Sequence, residues 1–298
     1  MPNLKSIKRK ISSIKNTRQI TKAMKMVAGS KFKKNQAAMN EYKAYAQIYD
    51  GIINNIKNNS VLHLHPFYGK NDGKDRKTGG NIGIVIISTD RGLCGAFNIN
   101  LFKIFNEEIK SKGLDKGKVK LYILGKKAYD FFKKDNYEIA FGMLYSDSDS
   151  ILNTVELLSN AFIADFENSR IDSLYIISNR YISTLQQKAY SEKLLPFEAS
   201  APEENVSSKS GGYLIEETTF YENETIDKVF NNYFKTKIYY KILESFAGEQ
   251  ASRMNAMDNA TRNAGKLINK LTAAYNKARQ TAVTLEILDI INGVNAVK

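Results

Sequence analysis

The densest run of reactive residue types is Ser88-Thr-Asp-Arg-Gly-Leu-Cys-Gly-Ala-Phe-Asn98, a glycine-punctuated turn holding hydroxyls, a carboxylate, a guanidinium and a thiol. Two chemistries could use it. A phosphate cradle needs G-x-G-x-x-G or G-x-x-x-x-G-K-[ST] at such a turn. Neither pattern occurs, and no Gly-Lys pair in the chain is followed directly by Ser or Thr. A thiol nucleophile at Cys94 needs an imidazole base, and both histidines, His63 and His65, sit together in another loop. The plainer reading is a tight strand-to-helix turn in which Gly92 and Gly95 permit the backbone and Asp90 caps or pairs locally. No catalytic residue is assigned.

Cys94 is the single cysteine, which excludes an intramolecular disulfide and a cysteine-built zinc site. His63 and His65 form a His-x-His beside the glycine- and lysine-rich run Pro66 to Asn81, which reads as a solvated turn. Neither a metal nor a cofactor is expected.

The elements around these residues follow from periodicity. From Asn3 to about Asn58 the pattern is helical, with Leu4, Ile7, Ile11 and Ile14 on one stripe. Beyond Ile14 the apolar positions become Ile20, Met24 and Val27, which predicts a seam shifted by about a third of a turn. Residues 63–80 read as loop. Ile82 to Ser88, Lys120 to Gly125 and Ser173 to Asn179 are short apolar runs, expected as strands covered on both faces. Helices are predicted between them, from about Asn98 to Lys112, through Phe131 and Phe132, and from Ser150 to Glu167. Such alternation implies right-handed crossovers and a parallel sheet. Arg180 to Leu195 reads as an extra strand or edge segment and Pro196 to Gly212 as loop. A final helix from roughly Glu222 to Asn292 could reach ~100 Å.

That last helix keeps a strict three-four spacing from Ala247: Gln250, Met254, Met257, Thr261, Ala264, Ile268, Leu271, Tyr275, Ala278, Ala282 and Leu285. The average of 3.5 residues keeps one stripe on a partner helix and winds the pair left-handedly. The simplest closure is an antiparallel pair of terminal helices with an α/β module attached. The many small seam residues suit a slim, smooth rod, a layout closer to a shaft than to an enzyme.

At 298 residues, 43% hydrophobic and 25% charged, the chain falls among soluble globular proteins. No run approaches the ~18 apolar residues of a membrane span. No apolar signal region is present, and the amphipathic pattern starts at Leu4, leaving no room for a transit peptide. The net charge is +13, and residues 1–40 hold eleven Lys and Arg with no Asp or Glu, leaving +2 for the rest. One helix thus carries nearly all the excess charge and must face something negative, whether nucleic acid, anionic lipid or acidic protein. Against nucleic acid stand its regular apolar seams and the lack of an aromatic stacking platform.

Three separated segments resemble one family. Ile7-Lys-Arg-Lys-Ile-Ser-Ser-Ile-Lys-Asn-Thr-Arg-Gln-Ile-Thr-Lys-Ala-Met-Lys-Met-Val-Ala-Gly-Ser-Lys31 is similar to the N-terminal helix of the F-type ATP synthase gamma subunits. Ser88 to Gly95 resembles their central motif, and Ala274-Tyr-Asn-Lys-Ala-Arg-Gln-Thr-Ala-Val-Thr-Leu-Glu286 their C-terminal signature. The order is right and the match covers essentially the whole chain.

The resemblance implies a central rotor with no catalytic site of its own, coupling transmembrane proton flow to ATP synthesis and hydrolysis. Its terminal helices would form the antiparallel coiled coil inside a ring of three alpha and three beta subunits. A Rossmann-like domain would sit below with the epsilon subunit and the membrane c-ring. The implied division is 1–60, 61–215 and 216–298, and the implied location is the cytoplasmic face of the bacterial plasma membrane, held peripherally through the complex. By position, Met24 and Lys25 match neck residues near an acidic beta-subunit loop, and Glu249, Arg253, Gln280, Thr284 and Glu286 match coupling positions. The plain reading of each is exposed helix polarity. The rival function is a basic coiled-coil adaptor for nucleic acid or a membrane surface. Two departures stand out: Gly29 replaces an expected alanine, and the 68–80 loop is longer than typical. The inserted cysteine pair of photosynthetic members is absent.

Overall fold

A computed structural model describes residues 4–57, 65, 67, 80–145, 148–197 and 223–297. Ten elements follow in order: α1 (Leu4–Lys57), β1 (Ile82–Ile87), α2 (Phe97–Ser111), β2 (Val119–Leu124), α3 (Lys126–Lys134), β3 (Glu138–Met143), α4 (Ser148–Glu167), β4 (Ser173–Tyr181), β5 (Gln187–Leu195) and α5 (Asn223–Val297). Two compact units result: Lys31–Ser252, and Met1–Ser30 with Arg253–Lys298. Residues 68–79 and 198–212, expected as loop, lie outside the described residues, as do residues 213–222 and His63.

The larger unit is built on a five-stranded sheet in the order β3-β2-β1-β4-β5. β1 pairs in parallel with β2 and β4, and β2 in parallel with β3, while β5 runs antiparallel to β4. Every residue of β1 is buried, as its continuous apolar run requires. The pleat divides its side chains. Val85 and Ile87 join Leu158, Phe162, Phe230 and Phe234 from α4 and α5. Ile82, Ile84 and Ile86 join Leu101, Phe105 and Phe132 from α2 and α3. Helices therefore cover both faces, and Gly83 is required: a Cβ there would lie 2.8 Å from Ile171 Cδ1.

β3 has no counterpart in the sequence reading. Its residues alternate exposed and half-buried, and its run Glu-Ile-Ala-Phe-Gly-Met at the sheet edge lacks the continuous apolar signature that betrays β1, β2 and β4.

The smaller unit is a helix pair. Lys25 meets Asp258, Thr21 meets Thr261, Arg18 lies beside Gly265, and Met254 lies beside Gly29. Each pair of numbers sums to 282 or 283, so the helices run antiparallel and Leu4 is level with residues 278–279. On α5 the shielded positions past Lys266 are Ile268, Leu271, Tyr275, Ala278 and Ala282, the three-four seam, with the residues between them exposed.

On α1 the shifted seam is corrected. Ile20 and Val27 are 60% and 57% exposed, whereas Thr21 and Ala28 are 8% and 1% exposed. The stripe of Leu4, Ile7, Ile11 and Ile14 continues in phase through Thr21, Lys25 and Ala28, a spacing of sevens and their three-four subdivisions. Small and polar residues hold the seam here because the partner supplies a hydroxyl and a carboxylate, and the larger Ile20 and Val27 face outward.

A row of charges ties α1, β5 and α5 together in the larger unit. Lys237 Nζ lies 2.9 Å from Asp50 Oδ1 and 3.0 Å from Glu192 Oε1. Lys241 Nζ lies 3.3 Å from Glu192 Oε2 and 3.9 Å from Glu244 Oε2. Burial disfavours ionisation of both glutamates, with opposite results. At Glu192 the two lysines outweigh it and hold the carboxyl below its ordinary range. At Glu244 burial wins over Lys241 and the Tyr181 N–H, and the carboxyl is raised. Glu192 thus adds stability above the ordinary carboxylate range, lost as pH falls through its depressed value. Glu244 adds stability below that range, lost as pH rises through its raised value. Glu244→Gln is expected to gain melting temperature relative to the parent as pH rises from about 5 to about 8, and Glu192→Gln to lose it as pH rises from about 3 to about 5 and to stay level with it above that. Parallel pH series for the two variants would contradict the assignment.

A second test concerns Gly29. An added Cβ would meet only Met254 Sδ, at an ordinary 3.5 Å. Gly29→Ala should therefore stabilise the chain by up to ~1 kcal/mol in a denaturant melt. A loss would mean that the helices need the closer approach.

Candidate functional site

The sheet changes direction of growth at β1, whose carboxyl end is where an open α/β sheet of this kind places a ligand. Here that position is filled from within. Asp90 Oδ1 accepts the Lys126 N–H at 2.9 Å, Ser88 Oγ accepts the Ala128 N–H at 3.0 Å, and the Thr89 carbonyl accepts the Lys127 N–H at 2.9 Å. The first turn of α3 would otherwise attract an anion, and the chain's own carboxylate and hydroxyl take that role. Thr89 and Asn98 lock the turn further, Asn98 Nδ2 donating to Thr89 Oγ1 at 2.8 Å.

Gly95 holds φ at 61°, and the second left-handed residue of the turn is Leu93 at 64° rather than Gly92. Gly125 closes the arrangement from the other side. Its φ is 96° and a Cβ would sit 2.4 Å from the Ser88 carbonyl oxygen. Cys94 is buried, with Asn98 Nδ2 donating to its sulfur at 3.5 Å and Ser252 Oγ donating to its carbonyl at 2.6 Å. Both nitrogens of His65 are engaged, Nε2 with Asp227 Oδ1 at 2.8 Å and Nδ1 as acceptor of the Phe67 N–H at 3.2 Å. The hydrogen bonds of the turn hold a strand against two helices.

The remaining site residues lie on the long helices and do not converge. Lys25 Nζ is 2.5 Å from Asp258 Oδ1, and Arg262 Nη2 is 2.6 Å from Asp258 Oδ2. The Asp258 carboxyl is held below its ordinary range, chiefly by the Lys25 hydrogen bond. Met24, next to Lys25, is half-buried. Glu249 and Arg253 are each only 8% exposed. Gln280, Thr284 and Glu286 are exposed, with Thr284 Oγ1 donating to the Gln280 carbonyl at 2.9 Å. Arg253 and Gln280 are 27 positions apart, about 40 Å along the helix.

Sequence reasoning missed the apolar surface beside these polar residues. From position 280 onward α5 has passed the level of Leu4, and Val283, Ile287, Leu288, Ile290 and Ile291 are all about half exposed or more. They spread over about 160° of the helix surface, and an apolar face of that width in a water-exposed segment is the pattern of a surface awaiting a partner. The signal was available: the run Leu285-Glu-Ile-Leu-Asp-Ile-Ile291 has too many apolar residues for one seam.

With the geometry in place, the comparisons with known proteins are decisive. The family described as ATP synthase matches residues 3–297. The chain is 36% identical over 300 residues to the ATP synthase gamma chain of Glaesserella parasuis serovar 5 (strain SH0165), and 36% identical over 298 residues to that of Histophilus somni (strain 129Pt), each over the full length of both chains. The chain belongs to the ATP synthase gamma-chain family. Its fold is also that of a chain in the Euglena gracilis mitochondrial ATP synthase OSCP/F1/c-ring structure, with a TM-score of 0.64, 20% identity, and coverage of 99% of this chain and 94% of that one. A chain of the Tetrahymena thermophila mitochondrial ATP synthase central stalk/c-ring structure gives a TM-score of 0.59 at 21% identity, covering 81% and 99%. Nothing in this gamma-family assignment supports the rival adaptor for nucleic acid or membrane. Among the described residues no helix is long and apolar enough to cross a membrane.

The self-capped turn yields a test. Asp90→Ala removes one first-turn acceptor of α3 and should cost about 1 kcal/mol in a urea melt. Gly125→Ala should cost several times more, because left-handed backbone strain adds to a backbone clash. Equal costs would show that the turn is not closed through Gly125.

Proposed function

We propose that this chain is the central-stalk rotor subunit of an F-type ATP synthase, coupling proton flow to ATP synthesis and hydrolysis at catalytic sites on surrounding alpha and beta subunits. The observation that carries the reading is the full-length gamma-chain similarity. The helix pair and its unpartnered apolar end are what a shaft inside a protein collar requires.

On this reading the chain contributes no catalytic group. The apolar end beyond position 280 turns within the ring of three alpha and three beta subunits, and Gln280, Thr284 and Glu286 present polar contacts there. The lysine- and arginine-rich outer surface of α1 faces acidic stator loops, with Met24 among the contact residues. Lys25 serves differently from a free cation: its ammonium is committed to Asp258, so it acts by fixing the neck of the helix pair. Glu249 and Arg253, both buried, act through the packing of this chain. The epsilon subunit and the c-ring complete the rotor, which sits peripherally at the cytoplasmic face of a bacterial plasma membrane. Divisions near residues 60 and 215 separate the terminal helices from the α/β segment. Since coupling is a difference in affinity between rotational states, it runs both ways: ion flow promotes ATP release, and hydrolysis turns the shaft backwards.

The test is co-expression with the alpha and beta subunits of the same source, followed by native mass and ATPase measurement. A complex of three alpha, three beta and one copy of this chain that hydrolyses ATP is expected. Replacing Gln280, Thr284 and Glu286 together by alanine should leave that mass unchanged and lower turnover by about ten-fold, the scale of one or two charge-assisted hydrogen bonds. A stable monomer that ignores the alpha and beta subunits and binds polyanions instead would overturn the proposal.

A further inference from the structure

A groove of about 440 Å³ opens in the larger unit between α1, the end of β4 and α5. Its size is that of a small-molecule site. Lys241 and Glu244 lie in it and are each 5% exposed, so charged groups are buried beneath a solvent-facing rim. The rim carries Lys43 from α1 and Arg180 from β4, and Tyr181 and Tyr240 supply ring surface.

The charges do not balance. Asp50 is paired with Lys237, and Glu192 with both Lys237 and Lys241. Among the described residues no carboxylate lies within ion-pair distance of Lys43 or Arg180, although Arg180 rests on the Tyr190 ring at 4.6 Å. Glu244 is the remaining acid. Its Oε1 accepts the Tyr181 N–H at 3.2 Å, while its Oε2 is buried without a hydrogen-bond donor. The groove lining thus holds three cations, Lys43, Arg180 and Lys241, against two acids, Asp50 and Glu244, between tyrosine side chains.

We propose that this groove binds a small aromatic anion, with Lys43 and Arg180 holding the anionic group and the tyrosines flanking the ring. The groups that face Glu244 support this. Lys241, the Tyr181 N–H, Arg180 and Glu192 act on its carboxyl; Lys43 and Asp50 from α1 and Tyr240 from α5 line the same groove, and Lys237 and Tyr190 contact Glu192 and Lys241. Burial already raises the Glu244 carboxyl, and a bound anion would raise it further, so binding takes up a proton. The inference is independent of the rotor reading and needs no partner subunit.

Benzoate, benzamide and acetate titrated into the full-length chain by calorimetry, at about pH 6 and about pH 8, separate the contributions of charge and ring. Saturable one-to-one binding of benzoate, tighter at the lower pH and absent with benzamide and with acetate, is expected. Lys43→Ala combined with Arg180→Gln should weaken it by at least about ten-fold. Glu244→Gln, which keeps the acceptor for Tyr181 N–H, should bind at both pH values as the parent does at the lower one. Unsaturable binding of benzoate, equal binding of acetate, or unchanged affinity in the Lys43/Arg180 variant would each overturn the site. A circular dichroism spectrum matching the parent confirms that each variant is folded.

Discussion

Two helices of 54 and 75 residues are stable because each covers the stripe of another element over most of its length. A long helix in water gains little from its own propensity and depends on burying an apolar face. The seam of the helix pair is therefore the constraint on which the terminal segments depend. It is met with small residues such as Ala28, Ala264 and Ala278 set among larger ones such as Ile7 and Ile268. The consequence is that larger apolar residues, Ile20 and Val27 among them, are released to the outside. There they are available to other subunits.

The α/β unit shows the complementary economy. A parallel sheet with helices on both faces offers a ligand position at the end of β1, and in many α/β proteins a phosphate fills it. Here Asp90 and Ser88 satisfy the N–H groups of α3 that the phosphate would otherwise satisfy. Gly125 lets the two loops approach to a distance that no side chain would allow. An internal carboxylate thus stands where a ligand's oxygens would, and the turn is held by the chain's own groups.

The sequence made the terminal helices, β1, β2 and β4 legible because their signals are strong: a sustained three-four period, or an unbroken β-branched run. It hid β3, whose edge position needs only every second residue partly covered. It misled on α1, where Ile20, Met24 and Val27 look like a seam. The residues that form the seam, Thr21 and Ala28, are recognisable only beside the partner hydroxyl of Thr261 and the side chains of α5. The same limit applied to Lys25, whose carboxylate lies 233 positions away. Composition revealed an excess of cations on α1, but no local pattern could say which one is already taken. In the central turn the glycines were read as the source of the left-handed backbone. Gly95 supplies one such residue, and Leu93 supplies the other because the surrounding hydrogen bonds hold it there.

The polar layer inside the helix pair completes the argument. Where the seam is alanine and threonine it grips weakly, and such a stretch slides between registers more readily than one of deep interlocking knobs. Thr21 with Thr261, and Lys25 with Asp258, are specific contacts that exist in one register only. Isolated polar pairs in a coiled coil add little stability and much specificity of alignment. A pair of helices that must pass torque has the same priority. Slippage along the seam would dissipate the turn, whereas a modest loss of affinity would not, because the ends of both helices are continuous with the rest of the chain.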